Sequence, residues 1–145
     1  MLKGLKRTVI KMFREFLVYH HSSLEYRAKI LTLMLSADGE ICECEEQQLK
    51  EVAHQIYGDD QERAELLIDT VNEYHLKIIT NNGLDFEHLV QLVIRETKEV
   101  KRFAQKIDIP LLEKFTVCVD QENEEELLFH RRLLEFLQDL KEEYR

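Results

Sequence analysis

One proline and four glycines in 145 residues leave little to interrupt regular structure. A chain this poor in breakers, and rich in Leu, Glu, Lys and Gln, points to an all-α fold. No apolar run reaches 18 uninterrupted residues, so no transmembrane helix is expected. The first residues lack the long apolar core and small-residue cleavage site of a secretory leader, which sets a cytoplasmic location as the expectation. There is no glycine-rich phosphate loop, no G-x-S-x-G elbow and no dinucleotide fingerprint, so catalysis is not expected. Cysteine is scarce and odd in number: Cys42, Cys44 and Cys118. These make no disulfide framework, and the C-x-C pair has no second pair at zinc spacing. The expectation is three ordinary thiols in a reducing cytosol.

With 44% hydrophobic and 34% charged residues, the chain is long enough for one domain whose core needs no staples. The net charge of −9 is unevenly spread. Residues 1–14 hold Lys3, Lys6, Arg7, Lys11 and Arg14 and no acid, a contribution of +5. The other 131 residues carry 15 basic and 29 acidic side chains, a net of −14. An acidic body repels a phosphate backbone, which argues against nucleic acid as a partner. The basic end suits an anionic membrane, an acidic partner protein or the chain's own acidic body.

Helical spacing organises the chain into about seven helices. Residues 1–21 place Leu2, Leu5, Val9, Met12, Phe13, Phe16 and Leu17 on one face, with basic residues between them. This predicts an amphipathic helix, packed on the domain, laid on a membrane or docked in a partner-protein groove. Ser22 and Glu25 form a capping box that opens a helix with the stripe Leu24, Ala28, Leu31 and Leu35. That helix should end at Asp38-Gly39, where glycine offers the positive φ of a helix exit. A third helix spans about Glu43 to Tyr57, and a fourth buries Ala64, Leu67, Ile68, Val71 and Leu76. Asp85 caps a fifth, with Leu89, Val90, Val93 and Ile94 inward; the continuation through Val100, Phe103 and Ile107 reads as the same helix or a new one. Asp108 and Pro110 open a helix from Leu111 to Val119, and a last one runs from about Glu124 to Glu143.

Two acidic turns stand out, Leu31–Glu46 (LTLMLSADGEICECEE) and Val117–Glu126 (VCVDQENEEE). The first matches the second half of an EF-hand loop, with Gly39, Ile41 and Glu45 in register. Its first and third positions are Met34 and Ser36, so the first half of that loop is absent. A looser set of Asp38, Glu40 and Glu45 could converge on one hard divalent cation, since close carboxylates repel unless a cation or proton joins them. Oxygen ligands favour calcium, magnesium or manganese. The alternatives are helix capping with a solvated acidic face, or docking of a basic peptide.

The pattern S-A-D-G-E-I, then E-E and a downstream L-x-x-V-A, resembles the TerB-like family of tellurite-resistance proteins and of a domain in some membrane-anchored DnaJ-type co-chaperones. The resemblance covers roughly Leu24 to Leu140. It implies a compact all-α bundle in two related halves, each with an acidic turn, and a stress-linked, non-enzymatic role, often beside membrane proteins. It also implies a metal-binding or interaction surface at Asp38, Glu40 and Glu45. In the second turn Asp120 and Glu122 align with Asp38 and Glu40 as a weaker site, but Gln121, Asn123 and Leu127 replace Gly39, Ile41 and Glu45.

The chain holds six histidines: His20, His21, His54, His75, His88 and His130. None lies in H-E-x-x-H, and Glu51-x-x-His54 lacks the second such pair that a di-iron bundle needs. Glu126 and His130 are four apart and read as a hydrogen bond on a helix surface. The expectation is therefore an N-terminal basic helix over residues 1–21 followed by a TerB-like helical domain over 22–145. Its function is a cytoplasmic interaction or sensing module with a protein partner and a divalent cation. A peripheral membrane adaptor contacting lipid or partner through Lys3, Lys6, Arg7, Lys11 and Arg14 is the alternative, and a metal-dependent enzyme the third.

Overall fold

The sequence LEYRAKILTLML carries apolar side chains around most of a helix, with Glu25, Lys29 and Thr32 on the remaining stripe, and so broad an apolar surface has to be covered on several sides. In the computed structural model, which describes residues 22–36 and 40–145, it is. Helix α1 (Ser22–Leu35) buries Leu24, Tyr26, Ala28, Ile30, Leu31, Leu33, Met34 and Leu35, each at most 2% exposed. The remaining elements are α2 (Glu43–Tyr57), α3 (Gln61–Ile79), α4 (Phe86–Glu99), a 3-10 segment Lys101–Lys106, the short α5 (Ile109–Glu113), a 3-10 segment Lys114–Cys118, and α6 (Glu124–Tyr144). The chain is all-α, with no strand among the described residues. Residues 1–21, with the expected basic helix and Lys3, Lys6, Arg7, Lys11 and Arg14, lie outside the described residues.

Helix α1 packs against α3 and α4. Helix α2 lies on α3 and on the second 3-10 segment, while α6 covers the first 3-10 segment, α5 and the end of the core beside α4. Polar caps fix where the helices begin. Asp60 accepts from the Arg63 amide at 3.2 Å, Asp85 from His88 at 2.7 Å, Asp108 from Leu111 at 3.2 Å and Asn123 from Glu126 at 3.1 Å. Gly58 closes α2 at φ 58°, a conformation that other residues adopt only with strain.

Two details depart from the sequence reading, and an alternative it leaves open is settled. Ser22 is the first residue of α1 rather than its cap. Leu76, expected inside, is 57% exposed, because the inward face of α3 continues from Leu67 and Val71 to His75. Val100 is extended at φ −120° and ψ 93°, so the chain breaks there and Phe103 and Ile107 reach the core from a separate segment.

A helix enclosed on all sides must also satisfy its polar groups. The Lys29 ammonium donates to both Glu96 oxygens at 2.8 and 2.6 Å and lies 3.7 Å from Glu25. The Tyr26 hydroxyl meets Thr97 Oγ1 at 2.7 Å, and its ring stacks on Phe103 with centroids 4.6 Å apart. Burial, opposed in part by the Thr97 hydrogen bond, pushes the Tyr26 phenol up to about 12. Glu25 in turn accepts from the Tyr74 hydroxyl at 2.9 Å, which ties α1 to α3.

This network predicts an asymmetry. Glu96→Ala, which removes both short bonds to a buried ammonium, is expected to cost about 2 kcal/mol. Glu25→Gln keeps an acceptor for Tyr74 and loses only a long ion pair, and should cost under about 1 kcal/mol. Urea unfolding of the two variants checks the order.

Candidate functional site: two acidic helix starts around one cavity

Residues 40–49 hold four acids, residues 115–129 hold five, and neither stretch contains Lys, Arg or His. Each opens a helix, where the macrodipole favours negative charge: Glu43, Glu45 and Glu46 in the first turn of α2, and Glu124, Glu125 and Glu126 in that of α6. The fold brings these two starts together. Cys44, in the first turn of α2, is joined by a disulfide to Cys118, at the end of the 3-10 segment leading toward α6. Their Cα atoms are 5.6 Å apart across 74 residues of sequence.

This bond corrects the expectation of three ordinary thiols. The C-x-C spacing draws the eye to Cys42 and Cys44 as neighbours, whereas the partner of Cys44 is remote in sequence and adjacent only in the fold. Cys42 alone is a free thiol, and it is exposed.

Beside the bond lies a cavity of about 260 Å³ lined by Met34, Glu45, Val119, Asn123, Glu125, Glu126, Phe129 and His130. Three walls are apolar, and the rest supply carboxylates, an amide and an imidazole. Glu45 is 9% exposed, and its Oε1 accepts from the Cys42 amide at 3.2 Å, as the acid of a capping box does. His130 is 5% exposed. Its Nδ1 meets Thr116 Oγ1 at 3.2 Å, while its Nε2 is buried with no hydrogen-bond partner.

The expected surface hydrogen bond of His130 is therefore replaced by a core position. The signal was present in the sequence: His130 is in phase with Leu133, Leu137 and Leu140, the buried face of α6. His75 shows the same pattern on α3, with Nδ1 2.8 Å from the Ser36 hydroxyl.

Of the expected ligands, Asp38 lies outside the described residues, Glu40 is exposed in the segment before α2, and Glu45 faces the cavity. At the second turn Asp120 accepts from the Glu122 amide at 3.0 Å, and both side chains are exposed. Asp120 and Glu122 thus shape the turn, while Glu125 and Glu126, one helical turn later, reach the cavity. Among the described residues no three His, Cys, Asp or Glu side chains are grouped to hold a metal ion. No helix among them is long and apolar enough to cross a membrane. Comparison with protein-family models, with curated proteins and with solved structures finds no match.

Burial holds the His130 imidazole below its ordinary value of 6.5. The unfolded chain therefore binds this proton more tightly than the native protein does. The contribution of neutral His130 is fully present above about pH 6.5 and is lost as pH falls toward the folded-state value. Urea midpoints measured at pH 7 and pH 5 should differ less in His130→Phe than in the parent protein; an equal difference would show that the ring does not remain neutral in the fold.

Proposed function

We propose that the chain is a non-enzymatic interaction module that docks a basic, amphipathic segment of a partner protein on the joined starts of α2 and α6. The observation that carries this reading is the pairing itself: two first turns, each with three glutamates and no cation in its stretch, are held beside one partly apolar cavity. Isolated acidic turns serve as caps. Two of them side by side repel each other, and a basic ligand relieves that repulsion while gaining a complementary field. Val117, Leu128 and Phe129 are 68%, 49% and 43% exposed in the same part of the chain, and offer apolar contact beside the acids. Charged rim contacts with apolar anchors are what an amphipathic helix needs from its groove.

The TerB-like kinship belongs to the same proposal, supported by the S-A-D-G-E-I turn and the all-helical bundle. So do the stress-related role and the cytoplasmic setting that go with it. Asp38, Glu40 and Glu45 form, in this reading, a hard-cation site at the first turn, with calcium, magnesium or manganese as the ion. The ion would quench carboxylate repulsion and set how α2 is presented to a partner.

Two measurements test these parts separately. A fluorescent Lys/Arg-rich amphipathic peptide should bind at low ionic strength, and replacing Glu124, Glu125 and Glu126 by Gln should weaken it by about tenfold, with the gap narrowing as salt screens the face. Equal binding by parent and variant would remove the docking face. Thermal melts with each divalent cation should show a rise of several degrees that vanishes in the Asp38→Asn, Glu45→Gln double variant; no rise in the parent protein would remove the cation site.

A further inference from the structure

The Cys44–Cys118 bond is open to solvent at its Cys44 end, while Cys118 is half-buried. An exposed disulfide is reachable by an attacking thiolate, which must approach along the S–S direction in negatively charged form. The approach crosses an unusual field. Glu43, Glu45 and Glu46 flank Cys44 on α2, and Asp120 and Glu122 follow Cys118 within four residues. The nearest cation on the second 3-10 segment, Lys114, is engaged with Gln55. Gln55 lies eleven residues along α2 from Cys44, about 16 Å at helical rise, and the first cation on α2 itself, Lys50, lies six residues from Cys44, about 9 Å. An anionic thiol therefore meets like charge at the bond, and a cationic one meets opposite charge.

We propose that Cys44–Cys118 is a thiol-exchange site selective for thiols borne on a cationic molecule or a basic protein surface. In the first step the incoming thiolate forms a bond to the exposed Cys44 sulfur. The Cys44–Cys118 bond breaks, and its electron pair leaves on Cys118, which takes a proton from water. A second thiol displaces Cys44 from the mixed disulfide in the same way. The protein gains two electrons and two protons, and the two thiols leave joined as their disulfide. Opening the bond releases the covalent tie between the start of α2 and the approach to α6, so the acidic pair is then held by packing alone. This inference goes beyond the docking reading and stands or falls independently, because its readout is thiol chemistry rather than peptide binding.

The experiment uses the folded full chain carrying Cys42→Ser, which removes the free exposed thiol as a source of scrambling. The oxidised protein is exposed to cysteamine, 2-mercaptoethanol or 2-mercaptoethanesulfonate at matched thiolate concentration without denaturant. The reaction is quenched by alkylation and mapped by mass spectrometry. Cys44 and Cys118 should become alkylated together, about tenfold faster with the cationic than with the anionic thiol at low ionic strength, and the ratio should collapse in high salt. Replacing Glu43 and Glu46 by Gln should narrow the ratio at low salt. Equal rates for the three thiols, labelling that requires denaturant, or the absence of the bond after oxidation of the folded protein would each overturn the proposal.

Discussion

The enclosure of α1 sets the terms for the rest of the molecule. A helix that is apolar over most of its circumference cannot lie on a surface, so α3 and α4 are obliged to pack against it, and the remaining segments complete the core around them. Enclosure also brings polar side chains inside: Thr32 donates to the Ala28 carbonyl of its own helix, and others find partners on neighbouring helices. Lys29 takes Glu96 from α4, Tyr26 takes Thr97 from the next position, and Glu25 takes the Tyr74 hydroxyl from α3. These bonds are more directional than the apolar contacts around them, and they specify the register of α1 against both neighbours.

The site inherits its geometry from that arrangement. Met34, in the last turn of α1, forms part of the cavity wall, and Ser36 just beyond holds His75 of α3. The acidic starts of α2 and α6 lie beside this end of α1, and sulfur ties the first to the segment that leads to the second. Electrostatic repulsion between two glutamate-rich turns is thus opposed by packing on one side and by a covalent bond on the other.

Much of the fold could be read directly. Helix α2 runs from Glu43 to Tyr57 as its caps and spacing require, and Asp85 and Asp108 begin the helices that their sequences advertise. Local chemistry decides those boundaries, so local sequence reveals them. Where tertiary context decides, the reading fails. A stripe of apolar positions on α1 understated a helix buried all round, and Leu76 points outward because His75 takes the inward place. The Cys44–Cys118 pair is illegible because each is the other's partner only through the path of the chain between them, whereas the inward place of His130 follows from its phase with Leu133, Leu137 and Leu140. Spacing within a short window cannot report a contact made across 74 residues. The acidic turns themselves were visible, but their adjacency was not.

The bridge between residues 44 and 118 also divides the molecule mechanically. Tension applied to the two ends of the chain reaches Cys44 from one side and Cys118 from the other, and passes across the sulfur atoms. The residues between them, 45–117, with most of α2, all of α3, α4 and α5, and the loop at Asn81–Gly83, lie off the line of force. At a fully extended span of about 3.5 Å per residue, roughly 250 Å of contour length is withheld while the bond stands. Among the described helices, α1 and α6 lie outside the loop and can be peeled away by pulling, and a cut at the Asn81–Gly83 loop would leave the pieces linked.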